Sequence, residues 1–401
     1  MTLARVEGGV CAPLGFSAAG VACGIKKSGA LDLALIAAEE ALPAAAVFTT
    51  NKAVAAPIIV SRSHLDASAG RARAVVVNSG CANACTGNQG MEVARLMAAE
   101  TARALGCEAE DILVASTGVI GVALDPRIVT GGIIAASGQM GRDGHAAAAR
   151  AIMTTDPFPK ELAVRSEIDG RPFHVGGMAK GSGMIEPNMA TMLGFLTTDV
   201  RIAPALLQQA LREVTELTFN AITVDGECST NDCVFLMASG ASGVEIGESE
   251  YGVFAEALHA VAQALALDIV RGGEGATKLI TIRVTGALSD SDARRAARAI
   301  GNSLLVKTAV HGGDPNWGRL VAVAGRAGVA FDLSRARVTI GPVVLFANGR
   351  PHDERASEAA SYLERNDVEL SVDLGSGGRT ATMWTCDLSA DYVRINAEYR
   401  T

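Results

Sequence analysis

The residues best suited to chemistry lie in one stretch near the middle of the chain, residues 180–194. Pro187 stops helix continuation, and the glycines before it permit backbone angles that other residues resist. The pair Ala190-Thr191 therefore lies where a constrained loop leads into an apolar run, residues 192–196. Composition alone favours an ordinary surface turn before a core strand, and a reactive segment is the alternative.

A threonine hydroxyl becomes a useful nucleophile when a base lies beside it. One arrangement makes threonine the first residue of a chain, because its own α-amine is then the base. That amine has a reference pKa of about 7.7–8.0, so a useful fraction is neutral near pH 7. Thr191 reaches this state only if the bond to Ala190 is cut. Its hydroxyl can make that cut by attacking the Ala190 carbonyl, which gives an ester that water then opens.

The sequence of residues 180–193, KGSGMIEPNMATML, resembles the self-cleavage segment of the ornithine acetyltransferase family, the glutamate N-acetyltransferases of arginine biosynthesis. Further blocks of that family follow in family order along the chain. They are NSGCANACTG (78–87), ASTGVIG (115–121), TVDG (223–226), STND (229–232), GEGATK (273–278) and GDPNWGR (313–319). Their order from end to end makes the resemblance specific, whereas one glycine-rich block alone would be weak.

The resemblance implies that Thr191 cuts its own peptide bond, between Ala190 and Thr191, and then serves as the nucleophile. It also implies an oxyanion hole made by Thr117 and Gly118, where donors meet the charge that develops on an attacked carbonyl. The residues that match the family's substrate-binding positions are Thr154, Lys180, Thr191, Glu274, Asn396 and Thr401. Without the family, each has an ordinary alternative, such as a strand-to-turn junction at Thr117 or a solvated Lys180.

The charges of this set fit N2-acetylornithine, which carries an α-carboxylate and a side-chain ammonium. Lys180 suits the carboxylate and Glu274 suits the ammonium. The resemblance implies that N2-acetylornithine acylates Thr191 and that glutamate then leaves as N-acetylglutamate. One nucleophile serving both halves predicts ping-pong kinetics. No metal and no organic cofactor is expected, and the residues leave acetyl-CoA open as a second acetyl donor.

Two other functions stay open at this point. A self-cleaving aminopeptidase or amidohydrolase of related fold would use the same threonine but let water take the acyl group. An uncleaved binding protein would keep the bond between Ala190 and Thr191. The block at residues 273–278 and the C-terminal pair Asn396 and Thr401 favour the transferase.

The composition argues against several classes of protein. The formal net charge of −8 is unsuited to nucleic-acid binding, which normally needs a basic face. No uninterrupted apolar stretch approaches the roughly 20 residues of a membrane helix, and the N-terminal residues lack a signal-peptide pattern. Eight cysteines without zinc-site spacing are expected to be free thiols. We therefore expect a cytoplasmic protein with small-molecule substrates.

Apolar runs and turn residues predict a mixed α/β (α+β) fold. Before residue 280, strands are predicted at 45–49, 57–60, 72–78, 112–116, 219–224 and 234–238, and helices at 91–105, 203–217 and 248–270. Beyond it, strands are predicted at 280–285, 320–324, 338–347, 368–374 and 380–388, and helices at 291–306 and 354–365. The later strands read as a smaller α+β domain with a largely antiparallel sheet.

The resemblance adds the architecture and the assembly. It implies a layered αββα sandwich, like that of N-terminal-nucleophile hydrolases, for residues 1–280. It implies a smaller domain at 281–401 whose tail returns to the active site. Self-cleavage would give an α chain of residues 1–190 and a β chain of residues 191–401. These chains are expected to stay together and to form a heterotetramer of two α and two β chains.

Overall fold

The computed structural model describes residues 3–186 and 192–398, which form two compact units. The first unit holds the described residues up to 220 together with 227–269, and the second holds 221–226 and 270–398. The sequence places the division between the domains at residue 280. In the structure, Asp387 of the second unit accepts hydrogen bonds from the backbone N–H groups of Thr277 and Lys278. These bonds explain why the loop at residues 273–278 belongs to the second unit.

The first unit contains both long strands and long helices. Its strands are β1 (Ala4–Val6), β2 (Phe16–Val21), β3 (Leu33–Phe48), β4 (Arg71–Cys81), β5 (Ile112–Val119), β6 (Lys160–Ile168), β7 (Arg171–Lys180), β8 (Leu193–Thr198), β9 (Arg201–Ile202), β10 (Cys233–Ala238) and β11 (Glu245–Ile246). Its helices are α1 (Ala56–Ala67), α2 (Gly87–Leu105), α3 (Pro126–Ser137), α4 (His145–Ala151), α5 (Pro204–Leu217) and α6 (Tyr251–Arg271), the last of which continues into the second unit.

Two layers of strands face each other in the first unit. One layer has the order β1-β6-β7-β8-β10 and ends on the second half of β3. The other layer is formed by β2, the first half of β3, β4 and β5. The space between them is filled by one apolar cluster that includes Phe195 and Phe235 from the first layer and Val75 and Val77 from the second.

Helices cover the outer faces of both layers. Met97 of α2 and Ile133 of α3 pack against Val76 of β4 in a second apolar cluster. On the opposite side, a Cβ atom at Gly177 in β7 would lie 3.0 Å from Leu265 and 3.2 Å from Val261 of α6, so glycine lets this helix lie close to the sheet. The order helix, sheet, sheet, helix confirms the predicted layered α/β fold.

Helix α6 is long and apolar enough to cross a membrane by length and composition, with a mean hydropathy of 1.6. Its apolar residues at three- and four-residue spacing are buried, including Phe254, Leu258, Val261 and Leu265. A core helix of a globular protein passes the same test of length and composition, so one such helix is weak evidence for a membrane span. The burial of these side chains identifies α6 as a core helix.

The second unit has a single mixed sheet with helices around it. Its strands are β12 (Leu279–Ala287), β13 (Arg337–Ile340), β14 (Val343–Ala347), β15 (Arg350–Pro351), β16 (Asp367–Asp373) and β17 (Arg379–Cys386), in the order β15-β14-β13-β16-β12-β17. Its helices are α7 (Asp290–Gly301), α8 (Leu304–His311), α9 (Trp317–Gly325), α10 (Ala356–Leu363) and α11 (Ala390–Glu398). Within the described residues, β12 and β16 pair in parallel and the other four pairings are antiparallel, in agreement with the predicted α+β domain.

Several local predictions are wrong. Residues 57–60 lie in helix α1, where Pro57 occupies the first turn and its missing N–H removes no helical bond. Residues 320–324 lie in helix α9, which Asn316 caps by accepting a hydrogen bond from the N–H of Arg319. Residues 219–221 form a 3₁₀ turn, and the helix predicted at 291–306 is two helices separated at Ser303, the cap of α8. Short apolar runs do not distinguish a strand from a helix, which accounts for the first two errors.

Candidate active site

The end of strand β5 holds Thr117 and Gly118 against the end of strand β4. The strands are parallel, with Gly80 opposite Gly118. Gly118 has a φ of +129°, and a Cβ atom there would lie 2.4 Å from the carbonyl carbon of Gly80. A side chain would therefore clash with the backbone of β4 and would also strain its own backbone. Glycine at this position allows the two strand ends to meet.

Lys180, the last residue of β7, reaches the same place. Its Nζ donates a hydrogen bond to Oγ1 of Thr117 at 3.2 Å, and both side chains are buried. Because the Thr117 oxygen accepts this bond, its own proton is left to donate to another acceptor. A hydroxyl oriented in this way is suited to stabilise negative charge that develops on a neighbouring oxygen.

Asp156 connects the segment after Lys180 to Thr154. Its Oδ1 accepts hydrogen bonds from Nζ of Lys160 at 2.6 Å and from the N–H of Gly181 at 2.7 Å, and its Oδ2 accepts from the N–H of Thr154 at 2.9 Å. Asp156 is 7% exposed and Lys160 is 1% exposed. Burial alone would raise the pKa of Asp156, but the charges of Lys180 and Lys160 outweigh it and lower the pKa to about 2. The ionised carboxylate thus fixes the position of two predicted substrate-binding segments.

A third lysine, Lys26, lies at the edge of this cluster. Its Nζ donates hydrogen bonds to the carbonyl oxygens of Leu31 and Met153, each at 2.8 Å. Burial lowers the pKa of Lys26, and the nearby charges of Asp32 and Asp156 offset part of that effect. Lys26, Lys160 and Lys180 together form what we call the lysine cluster.

Two buried asparagines hold the strand ends next to the lysine cluster. Asn78 accepts a hydrogen bond from Oγ of Ser116 at 2.6 Å and donates to the carbonyl of Cys81 at 2.9 Å. Asn231 donates from Nδ2 to the carbonyls of Ala82 at 2.6 Å and Ser116 at 3.0 Å. The end of β5 is thereby fixed from two sides through its own backbone and through its serine side chain.

Asp232 is a buried carboxyl group that the chain leaves partly unsatisfied. It is 2% exposed, and its Oδ2 accepts no hydrogen bond in the part of the chain that the structure describes. Burial raises the pKa of Asp232 well above its usual range, although hydrogen bonding to Ser229 and the charge of Lys180 oppose the shift. Desolvation thus favours the protonated, neutral form of this carboxyl group.

In the second unit, Glu274 and Asn396 lie together. Nδ2 of Asn396 donates a hydrogen bond to Oε2 of Glu274 at 2.8 Å. Asn396 belongs to helix α11, whose Tyr392 donates to a carboxylate oxygen of Asp225 at 3.2 Å. A Cβ atom at Gly275 would lie 2.5 Å from the backbone nitrogen of Tyr392, so glycine allows the helix to pack on the 273–278 loop. The described part of the tail is an ordered helix.

A family model described as the ArgJ family matches residues 17–401. The chain belongs to the ArgJ family. One relative of this ArgJ-family chain is the arginine biosynthesis bifunctional protein ArgJ of Symbiobacterium thermophilum, which is 51% identical over 99% of both chains. The protein of the same name from Synechocystis sp. is 49% identical over 99% of this chain and 98% of its own. These matches confirm the resemblance to ornithine acetyltransferases that the sequence motifs indicate.

A solved structure matches part of the ArgJ-family chain. It is the crystal structure of the arginine biosynthesis bifunctional protein ArgJ from Bacillus halodurans, with 44% sequence identity and a TM-score of 0.51. The match covers 52% of this chain and 100% of the solved chain. The solved chain therefore corresponds to about half of the chain described here.

The residues that the ArgJ-family motifs single out fall into three groups. Four lie together in the first unit (Thr117, Gly118, Thr154 and Lys180), two lie together in the second unit (Glu274 and Asn396), and three lie outside the described residues (Ala190, Thr191 and Thr401). Sequence reasoning missed Asp156, Lys160 and Lys26. Asp156 follows Thr154 by two residues and could have been suspected for that reason. The two lysines carry no sequence signal, because their burial comes from distant parts of the chain.

Proposed function

We propose that this chain moves the acetyl group of N2-acetylornithine to glutamate through an acetyl ester on Thr191. As an ArgJ-family member, the chain is an acetyltransferase of arginine biosynthesis. The observation that carries the mechanism is the hydrogen bond between Nζ of Lys180 and Oγ1 of Thr117. It joins a cation suited to the substrate carboxylate with a hydroxyl suited to the oxyanion, in one buried place.

Activation begins with Thr191. Its hydroxyl oxygen attacks the Ala190 carbonyl carbon, the peptide C–N bond breaks, and the Thr191 nitrogen takes the hydroxyl proton and becomes a free amine. Water then hydrolyses the resulting ester, which leaves a carboxylate on Ala190 and restores the Thr191 hydroxyl. The free amine is the general base for the later steps.

Acetyl transfer then takes place in two halves. The Thr191 amine accepts the proton of its own hydroxyl, and the oxygen attacks the acetyl carbonyl of N2-acetylornithine. Thr117 and Gly118 stabilise the negative oxygen, and ornithine leaves with the proton when its C–N bond breaks. The neutral α-amine of glutamate next attacks the acetyl ester, and N-acetylglutamate leaves as the Thr191 oxygen regains a proton. Both halves use one nucleophile, which gives ping-pong kinetics.

The match to the Bacillus halodurans structure supports the cleavage step. A β chain of residues 191–401 has 211 residues (401 − 190), which is about 53% of the chain. The solved chain aligns over its whole length with 52% of this chain. A relative present as two chains of about these lengths would give such a match.

The proposal extends to partners, donors and location. The α chain and β chain stay associated as a heterotetramer of two of each, in the cytoplasm. No metal or organic cofactor takes part, because the threonine and its own amine supply nucleophile and base. Acetyl-CoA serves as a second acetyl donor to glutamate, which the word bifunctional in the names of the relatives supports. Formation of N-acetylglutamate from acetyl-CoA and glutamate alone tests this last point.

N-terminal sequencing of the purified protein tests the mechanism. We expect a second N-terminus that begins Thr-Met-Leu-Gly-Phe in the wild type and none in Thr191→Ala. Thr191→Ser keeps a hydroxyl and should be cut at the same bond, which gives a second N-terminus that begins Ser-Met-Leu-Gly-Phe. Thr191→Ala should also lose acetyl transfer from N2-acetylornithine to glutamate. A single N-terminus in a wild-type protein that still transfers acetyl groups would require another base and would overturn the role of the Thr191 amine.

A further inference from the structure

The two substrates of the proposed reaction differ in the charge of their side chains. N2-acetylornithine presents an ammonium group, and glutamate presents a carboxylate. Glutamate therefore carries two carboxylates, and Lys180, the cation proposed for a substrate carboxylate, can neutralise only one of them. A second cation beside Lys180 would neutralise the side-chain carboxylate of glutamate.

We propose that Lys26 is this cation, a further substrate-binding residue that binds the side-chain carboxylate of glutamate in the second half-reaction. The inference rests on the proposed function, since it concerns the acceptor of that reaction. It assigns Lys26 to acceptor specificity, whereas Lys180 serves both substrates.

The position of Lys26 supports this role. A Cβ atom placed on Gly80 would lie 3.1 Å from Cγ of Lys26, so the lysine stem runs along the backbone of Gly80. Gly80 is the residue paired with Gly118 in the β4–β5 ladder. At its other end, Nζ of Lys26 donates to the carbonyl of Met153, the residue before Thr154. Lys26 thus spans from the predicted oxyanion position to a predicted substrate-binding position.

Lys26 retains a donor for a ligand. An ammonium group has three N–H donors, and two of those of Lys26 are used by the carbonyls of Leu31 and Met153. These two bonds fix the direction of Nζ without neutralising its charge. The third N–H has no acceptor among the described residues and is available to a carboxylate oxygen.

The burial of the Lys26 ammonium favours a bound anion. Burial lowers the pKa of Lys26 even though the charges of Asp32 and Asp156 oppose that shift, so these two carboxylates do not fully offset the desolvation of its ammonium. A bound carboxylate would offset the remaining desolvation of the Lys26 ammonium.

The test compares Lys26→Gln with Lys27→Gln. Lys26→Gln keeps a hydrogen-bond donor in the side chain but removes the charge. Lys27 is an exposed neighbour that serves as the matched control. Ornithine release from N2-acetylornithine measures the first half-reaction. Steady-state use of glutamate and of glutamine, whose side chain is neutral, measures the second.

In Lys26→Gln we expect the KM for glutamate to rise by about tenfold or more, because one charge-assisted hydrogen bond to the substrate is lost. Ornithine release should fall far less, and the preference for glutamate over glutamine should shrink by the same factor. Lys27→Gln should match the wild type. If Lys26→Gln does not fold, Lys26→Met takes its place in the same comparison.

Two results contradict the inference in different ways. Equal losses in both half-reactions, or an unchanged preference for glutamate over glutamine, would show that Lys26 only supports the loops around it. Absence of ornithine release from the wild type would overturn the proposed function and this inference with it. Normal release by the wild type therefore separates failure of the inference from failure of the function.

Discussion

At the scale of single residues, Asp156 is the group on which the local charge balance depends. It is the carboxylate partner of Lys160, whose side chain is fully buried, and it also holds the backbone of Thr154 and Gly181. A buried ion pair adds little stability compared with apolar side chains of the same size, but removal of one partner leaves a charge without compensation. The pair is therefore more important for position than for stability, and each partner requires the other.

Replacement of Asp156 tests this view. We expect Asp156→Asn to lower the free energy of unfolding by about 3–5 kcal/mol, because the buried Lys160 ammonium loses its counter-charge. The double variant Asp156→Asn with Lys160→Met should recover most of that loss, since no buried charge remains. Urea denaturation of both variants measures the difference. Equal destabilisation of the single and the double variant would show that the hydrogen bonds to the backbone matter and the charges do not.

The same group predicts a pH dependence. The pKa of Asp156 in the folded protein is lowered to about 2, below its value of about 3.9 in an unfolded chain. Its contribution to stability is therefore complete above pH 4 and is lost as the pH falls towards 2, a change of roughly 2–3 kcal/mol. Urea denaturation from pH 5 to pH 2 should show this loss in the wild type. Asp156→Asn should not show this loss of roughly 2–3 kcal/mol over the same pH range, because its side chain does not titrate.

At the residue scale, the sequence names candidates where the residue type itself carries the chemistry. Thr117, Lys180 and Glu274 stand in family motifs, so their positions could be named in advance. Lys26 and Lys160 could not be named, because a lysine is usually solvated and only the folded chain reveals that these are buried. What the sequence lacks is the environment of each side chain, which distant segments supply.

At the scale of elements, the β4–β5 ladder depends on a glycine at the end of β5. We expect Gly118→Ala to disturb this ladder, because its Cβ atom would overlap the backbone of Gly80. The free energy of unfolding should fall by several kcal/mol, and ornithine release should fall with it.

The control for this variant is Gly121→Ala, where φ is +77° but no atom lies within 4 Å of the added Cβ. It should cost only about 1–2 kcal/mol from backbone strain. Thermal unfolding separates the two variants, and equal effects would contradict the steric explanation.

The long helices of the first unit are predicted correctly. Helices α2, α5 and α6 repeat their apolar residues over three or more turns, so the period is visible without tertiary information. Residues 57–60 and 320–324 are short apolar runs, and their helical state depends on the proline or the cap that precedes them. Strands β6 and β7 were not predicted, because their glycines and charged residues resemble a loop until the pairing of the two strands is known.

At the scale of the whole molecule, the strand order of the first unit determines whether the two fragments could separate after cleavage at Thr191. Strands β8 and β10 follow the cleavage point, and they lie between β7 and β3, which precede it. Lys180 of β7 pairs with Leu193 of β8, and Phe48 of β3 pairs with Cys233 of β10. The apolar core likewise combines Phe195 and Phe235 with residues of β3 and β4. The residues before and after the proposed cleavage point therefore share one sheet and one core.

This arrangement predicts that the two chains separate only when the fold is lost. Size-exclusion chromatography of the cleaved protein should give one peak that contains both fragments, even at nanomolar concentration, because separation would break the β7–β8 and β3–β10 ladders and expose the core. The peak should elute like that of the uncleaved Thr191→Ala variant. In urea, release of the fragments should coincide with the loss of secondary structure, since no folded form of either fragment retains its sheet partners. Separation in native buffer, or before unfolding, would mean that the strands after residue 191 can leave the sheet, in contradiction to this strand order.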